Sequence, residues 1–471
     1  MPLTAMPLPI IRGEQTDGQT DYVDYLPKNL LAVAKAVRGA DSYLVSHDGL
    51  KQFSNYDVAS AYLGDRNGLY NERQNRHFRV TGNSFVTLSP SGAVTEIGII
   101  PGVQRCSFSY SFQSTMVSNG QSAWRYLDSG VVEEMALPRI AVDNVWINGF
   151  YMFTDGEYLF HTTALDESTI EPLQYATAEI SPDPVVGLLA TQDDLLMVFG
   201  RFSTQYFYYA ATDQFAFSNI SQKAINAGIV GTHAKTILSG DVFILGGRKN
   251  ESPSFYIVAA GDIKPVSTRT VDKIVAQYTN EELASAVLES RTDERTALLI
   301  VRLPSHTLCF NWTFAQAAGF ENAWSILSTG VDNDVWLACN GVFDPVARKW
   351  IYGAINSGKT FELDKVNGAH DGVATEYEFQ TPIVPVMAKI AKVEIDTITG
   401  YSETPQSVFM SISQDGAFFG TEWIEMFPAR GNYGGRYIVN RLGWVPDQVH
   451  FKVRALSKGK VNFSRFIGYG A

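Results

Sequence analysis

Residues 353–360 read GAINSGKT, a full match to the pattern G-x-x-x-x-G-K-[ST]. In a phosphate-binding loop of that pattern the backbone amides cradle phosphates, the lysine (here Lys359) reaches the outer phosphates and the hydroxyl (here Thr360) holds magnesium. That chemistry needs a helix after the loop, with its N-terminus aimed at the anion. The chain instead continues as TFELDKVNG, where Phe361 and Leu363 alternate with Glu362 and Asp364, the pattern of a strand ending in a turn. The motif reads as a glycine turn between two strands, and nucleotide binding is not expected.

Glycoside hydrolysis would need two carboxylates facing each other across a pocket. Glu133 with Glu134, Asp193 with Asp194 and Glu281 with Glu282 are adjacent pairs, and neighbours on a strand point to opposite faces, so they read as solvated charges. SQDGAFFG (413–420) and SHDGLKQF (46–53) come near the repeated S-x-D-x-G-x-[TS]-[WF] turn of sialidases but place Gly directly after Asp, a hairpin signal. His47, His77, His161, His233, His306, His370 and His450 are scattered without H-x-H or H-x-x-x-H spacing, and no G-x-S-x-G elbow is present. Cys106, Cys309 and Cys339 fit no C-x-x-C spacing and read as small buried side chains. No catalytic, cofactor-binding or metal-binding residue is therefore assigned, and the chain is not expected to be an enzyme.

Two further stretches have a binding reading and a plainer one. DRNGLYNERQNRHFRV brings Arg66, Arg73, Arg76 and Arg79 into 14 residues with Tyr70 and Phe78 between them. It could make a local phosphate or protein contact, but it reads first as a solvated loop leading into the first repeat. QYFYYAA (205–211) could be an exposed aromatic face, but reads first as a strand buried on both sides.

The elements that would position these residues are strands. Short aromatic and β-branched runs alternate with Gly, Asn, Asp and Ser clusters along most of the chain. One unit recurs, a strand, a small polar turn and another apolar strand. Its turns are marked by Gly82, Gly120, Gly156, Asp194, Gly240, Asp293 and Gly341, spaced 36 to 53 residues apart. Repeats of that length, each a small antiparallel sheet, predict an all-β fold with a β-propeller of about six or seven blades. From Glu376 the strands lengthen, which predicts an additional β-sandwich-like unit. The expected organisation is an N-terminal arm over 1–40 that leans on something else, a propeller over 41–375 and a C-terminal β domain over 376–471. Helical signals are scarce, and the best is TNEELASAVLES, where Thr279 and Glu282 have capping-box spacing and Leu283, Val287 and Leu288 could share a face. The apolar residues of NLLAVAKAVRGA (29–40) fit a short helix or an edge strand about equally, and the extended reading is taken.

The 471-residue chain holds 37 Lys and Arg against 49 Asp and Glu, a formal net charge of −12. A protein that grips nucleic acid through its phosphates presents basic surface, so this balance argues against a general DNA or anionic-membrane binder. Hydrophobic residues at 45% exclude a disordered chain. The longest apolar runs, such as VVGLLA (185–190), fall far short of the roughly 18 residues of a membrane-spanning helix. The opening MPLTAMPLPII lacks a basic region and is broken by prolines, so no secretory signal is read.

GNSFVTLSPSGAVTEIGIIPG (82–102), LLMVFGRFSTQYFYYAA (195–211), VSTRTVDKI (266–274), VEIDTITG (393–400) and SQDGAFFGTEW (413–423) together resemble the packaged-DNA stabilisation proteins, or tail hubs, of short-tailed Salmonella-type phages. The resemblance covers essentially the whole chain. It implies a structural virion protein of the tail, assembled in the host cytoplasm as a homohexameric ring beneath the head-to-tail adaptor protein on the portal. Such a hub closes the DNA channel after packaging, stabilises the packaged DNA until genome ejection, holds the tail needle and sits level with the tailspike. DNA would pass through it without sequence-specific binding, and no cofactor or membrane is implied. The alternative from the fold class alone is a propeller glycan hydrolase or glycan-binding module.

Overall fold

The computed structural model describes residues 4–470 apart from 12, 17–20, 38–39, 58–61, 165, 179–181, 213–214, 260, 295, 386–387, 401 and 434–435. Seven antiparallel sheets succeed one another along the chain. The first holds Asp65–Asn71, Arg76–Thr81, Ser84–Leu88 and Val94–Ile99, and the second Ser107–Tyr110, Ser114–Ser118, Ala123–Leu127 and Val132–Glu134. The third starts at Asp143–Ile147, the fourth at Val185–Ala190, and the sixth at Val287–Asp293. In the fifth, Gly228–Ile229 and Lys235–Leu238 both pair with Asp241–Gly247. The seventh consists of Ala338–Asp344, Lys349–Ala354 and Lys359–Asp364, completed at its outer edge by Gly49–Asn55 from near the start of the chain. This is a seven-bladed β-propeller, closed by a strand donated from the opposite end of the propeller sequence.

Each blade is packed on both faces by its neighbours, which is why residues facing both ways along the middle strands are buried. Every residue of Ser114–Ser118, Phe150–Thr154 and Leu196–Gly200 is buried, whereas the outer strand Val94–Ile99 has no fully buried residue. The sequence markers fall one per blade but not in equivalent places. Gly82, Gly120 and Gly156 turn between second and third strands, Asp194 and Asp293 between first and second, and Gly341 sits in the bulged first strand of the last blade. The wider spacing from the fourth marker onward reflects longer blades, since the first strands of the fourth to seventh blades begin at Val185, Gly228, Val287 and Ala338.

The C-terminal unit is a sandwich. One sheet runs Thr4–Leu8, Arg465–Gly470, Ala388–Asp396 and Tyr437–Val445, so the N-terminal strand belongs to it. The other runs Thr375–Gln380, Gln448–Ser457, Gln406–Ser413 and Trp423–Phe427. Their inner faces meet through Val393, Ile395 and Phe466 against Phe379, Met410 and Phe451, with the Phe451 and Phe466 rings 4.9 Å apart. Leu30–Val33 and Tyr43–Ser46 form a small sheet with Asn462–Phe463, so the stretch read as extended from Asn29 is a strand over its first part; Arg38 and Gly39 lie outside the described residues. The capping box at Thr279 and Glu282 is present, but its helix spans only Asn280–Leu283. Val287 and Leu288 open a strand instead of extending a helical face. A four-residue helix contributes little by itself, and pairing with the next strand wins.

Asn29 locks the two units together. Its backbone amide donates to the Ile326 carbonyl (2.7 Å), its Nδ2 to Ser328 Oγ (2.8 Å) and the Glu376 carbonyl (2.8 Å), and its Oδ1 accepts from the Ser328 amide (2.9 Å). Its φ of 53° suits asparagine better than any branched residue. Replacing Asn29 with Ala leaves the Glu376 carbonyl and the Ser328 amide without these partners, so Asn29→Ala should cost about 2–4 kcal/mol. Urea unfolding should then resolve separate sandwich and propeller transitions, which a single unchanged transition would contradict.

Candidate functional site at the propeller axis

The first strands of the blades converge on the axis, and there the polar residues form a continuous ring. The Cys106 amide donates to the Arg66 carbonyl (2.8 Å), Ser107 Oγ to Asp143 Oδ1 (2.6 Å), and the Leu188 amide and Lys235 Nζ to Asp143 Oδ2 (2.9 and 2.8 Å). The Leu288 amide donates to the His233 carbonyl (3.0 Å), and the Asn340 amide to Glu289 Oε1 (2.9 Å). Asn340 Nδ2 then reaches Asp65 Oδ1 (2.8 Å) and returns to the first blade. Arg79 grips Asp65 through two bonds of 2.8 and 3.1 Å and donates to the Asn340 carbonyl (2.7 Å), so one buried arginine joins the first blade to the last. Charged, bidentate bonds away from water are the strong kind.

This overturns the solvated-loop reading of the arginine cluster for half its members. Arg79 and Arg66 are buried, and Arg66 spreads its guanidinium over the carbonyls of Gly82, Ile100, Pro101 and Gln104 (2.7–3.2 Å). Arg73 and Arg76 are exposed and lie against the rings of Phe112 and Tyr126. The four never converge on one phosphate-sized site. The available signal is Asp65, an acid on the strand that pairs with the strand of Arg79 across one hairpin.

The stretch 353–360 is a β-hairpin. Lys349–Ala354 and Lys359–Asp364 pair directly, Lys359 Nζ meets Asp371 Oδ2 at 2.6 Å, and Thr360 Oγ1 is 2.6 Å from Ser54 Oγ. Its first glycine has a different purpose. A Cβ on Gly353 would collide with the Asp65 carboxyl, so the motif's glycine lets the last blade approach the first at the axis.

The other candidates separate. Glu133 pairs with Arg125, Asp193 and Asp194 sit exposed in a turn where Asp194 has φ 57°, and Glu282 caps its helix. The three cysteines are buried and unpaired, their thiols pushed up to about 11 for Cys106 and about 12 for Cys309 and Cys339 by burial. Among the described residues no group of three His, Cys, Asp or Glu is arranged to hold a metal. QYFYYAA departs from the doubly buried reading at its end: Thr204, Gln205 and Phe207 are buried, but Tyr208 and Tyr209 are exposed because this third strand of the fourth blade runs out toward the rim.

His47 and His370 flank Trp336 where the seventh blade meets the sandwich, their ring centroids 5.2 and 6.5 Å from it. Asp48, beside them, accepts from Arg291 of the sixth blade (2.6 Å) and pairs with Lys460 of the sandwich, tying both units to the N-terminal segment. Burial, reinforced by Arg291, holds His47 down to about 3, and burial holds His370 down to about 4.

Among the described residues, two exposed apolar surfaces stand out. Leu69, Phe108, Tyr110, Phe112, Val145, Trp146 and Leu189 line an apolar trough along the first strands of four blades. On the sandwich, the edge strand Trp423–Phe427 turns Ile424 and Met426 outward, and the edge strand Tyr437–Val445 of the other sheet exposes Trp444, each more than 60% accessible. Apolar patches of this kind mark association surfaces.

Residues 6–367 match the family described as Bacteriophage P22 Gp10, beta-propeller, and residues 376–467 match Bacteriophage P22 Gp10, beta-sandwich. The tail hub protein gp10 of Salmonella phage P22 is 27% identical over 486 residues, covering 97% of this chain and 98% of that one. Among solved structures, a streptogramin B lyase aligns at 11% identity and a TM-score of 0.44 over 68% of this chain and 98% of its own. The N-terminal domain of Nup159 aligns at 12% and 0.42 over 68% and 96%. Likenesses that remote carry no functional argument.

The crowding at the axis can be probed directly. Gly353→Ala should destabilise the chain by about 2–4 kcal/mol, because the Asp65–Arg79 pair must shift. Lys359→Ala should stay within about 1 kcal/mol, since it removes only a half-exposed ion pair. A phosphate-binding loop would show the reverse ranking in an ATP-binding assay. As for pH, His47 and His370 are neutral in the fold and near 6.5 when unfolded, so below that value the unfolded chain binds protons the native chain does not. Stability should be full above about pH 6.5 and fall by about 3 kcal/mol per histidine on the way to pH 4. His370→Gln should flatten that slope in denaturant titrations at stepped pH.

Proposed function

Since the chain belongs to the Bacteriophage P22 Gp10 family, with matches to both its propeller and its sandwich, we propose that it is the hub of a short phage tail, a structural part of the virion that joins the portal and adaptor ring, closes the DNA channel after packaging and holds the tail needle. The observation that carries this reading is the match to a tail hub protein from end to end. The chain is a structural protein and not an enzyme.

Physical features support the finer parts. A hub under the pressure of packaged DNA must not open, and here the blades are closed twice, by the outer strand Gly49–Asn55 and by the axial bonds of Asp65, Arg79 and Asn340. The exposed apolar edge of the sandwich and the apolar trough suit permanent contacts with sister subunits, adaptor and tailspike. A net charge of −12 per copy, multiplied around a hexameric ring, would let DNA slide past without adhering. Retention is then mechanical, by a plug. Assembly in the host cytoplasm fits three reduced cysteines. The glycan reading finds no favouring observation at the axis, where the buried acids Asp65, Asp143 and Glu289 are each already engaged by a cation and an amide.

The decisive experiment is assembly without this chain. Heads should fill with DNA and then lose it, and adding the purified protein to freshly filled, adaptor-bearing heads should preserve the DNA. Heads that keep their genome in its absence would refute the closing role.

A further inference from the structure

The charge of the chain is unevenly divided. Residues 376–471 hold ten Lys and Arg against nine Asp and Glu, while the rest of the chain holds 27 against 40. The imbalance is sharpest between Arg139 and Arg201, where there is no Lys or Arg and there are ten Asp and Glu. Three of those acids are committed inside the fold, Asp143 to Lys235, Asp155 to Arg139 and Glu167 to Ser114 Oγ (2.7 Å). Asp166, Glu171, Asp193 and Asp194 are exposed. In an antiparallel blade the turns after the first and third strands leave at the same end. Asp166 follows the third strand of the third blade, Tyr158–Thr162, and Glu171 lies at the start of its outer strand, Ile170–Thr177. Asp193 and Asp194 follow the first strand of the fourth blade, and Asn148, in the matching turn of the third, reaches the Asp194 carbonyl at 3.5 Å. The four acids therefore stand at one end of the propeller, beside the apolar trough, whose Trp146 and Leu189 are next to last in those first strands.

The sandwich presents the complement. On the sheet that contains Thr4–Leu8, Trp444 of the edge strand stands directly opposite Lys389, and both are exposed. Arg441 is exposed too, held at φ 62° where the ladder shifts register. The ion pairs of that face, which join Glu394 to Lys392 (2.8 Å) and Arg436 (3.3 Å), leave Lys389 and Arg441 out. Trp and Arg are the side chains most enriched as interface anchors. We propose that copies of this chain associate head to tail, the Trp444 face of one sandwich seated on the acidic end of the third and fourth blades of the next. Lys389 and Arg441 meet Asp193 and Asp194, and the indole enters the trough, whose volume of about 560 Å³ accommodates it. Two different patches make a heterologous contact, which repeats from copy to copy until a ring closes. A two-fold dimer through either patch would set like charges against each other. The assignment rests on the hub reading, which needs several copies to meet.

The test uses the full chain and freshly filled, adaptor-bearing heads. A carbodiimide, which joins a lysine amine directly to a carboxylate, should convert the bound chain to dimers and larger multimers in which Lys389 is linked to Asp193 or Asp194 of the adjoining copy. Lys389→Glu combined with Arg441→Glu, and separately Asp193→Lys combined with Asp194→Lys, should each raise the concentration needed to load the heads about tenfold or more. Mixing the two variants in equal amounts should restore loading, because each then offers the other an opposite charge, and misfolded chains would not recover. An unaltered chain that does not load at all would overturn the hub reading and this pairing together. Variants that load as well as the unaltered chain, a mixture that fails to recover, or Lys389 cross-linked to the adaptor or the tailspike would overturn the pairing and leave the hub reading standing.

Discussion

Ring closure is the constraint on which the rest of the molecule depends. Seven sheets arranged around an axis leave the first and last with nothing but each other, and any weakness there opens the whole circle. The chain answers at two radii. At the rim, Gly49–Asn55 supplies the last blade with its outer strand. At the centre, Arg79 and Asp65 of the first blade engage Asn340 of the last, and Gly353 clears the space that lets them meet. Rim bonds are ordinary sheet hydrogen bonds, while those at the centre are charged and shielded from water, where electrostatic interactions are strongest.

The same N-terminal segment also welds the propeller to the sandwich. It contributes Thr4–Leu8 to a sandwich sheet, Asn29 to the seam between the sixth blade and Thr375–Gln380, and Asp48 to an ion cluster with Arg291 and Lys460, before it becomes the clasp. A segment that looks like an arm in the sequence is a strap through both units. The strap holds by both means: Leu8, Ile10, Leu26, Leu30 and Leu44 are buried in the main core, and Asn29 and Asp48 add directional bonds.

Much of this is legible from periodicity. The strand and turn rhythm points to a propeller of six or seven blades and a sandwich beyond Glu376, and the seven markers fall in seven blades. Local pattern does not reveal which hairpin each marker occupies, since a glycine turn looks the same between any two strands. Arg66 and Arg79 look solvated in the sequence because burial of an arginine depends on acceptors brought from elsewhere, four carbonyls in one case and Asp65 with Asn340 in the other. Tyr208 and Tyr209 mislead for the opposite reason: the stretch is rich in aromatics, but the strand is covered only as far as Phe207. The GAINSGKT motif is recognisable as a turn from the strand after it, although the reason for its first glycine lies at the far end of the propeller sequence, at Asp65.

The pairing of Thr4–Leu8 with Arg465–Gly470 also sets a clock. A strand made among the first residues has to wait for one made among the last, and at ribosomal speeds of about 5–20 residues per second that wait lasts roughly 20 to 90 s. During it the N-terminal strap has neither its sandwich sheet nor, until Lys359–Asp364 emerges, its blade. A chain abandoned midway leaves that strand without a partner, so the finished sheet acts as a record that translation ran through to the last strand.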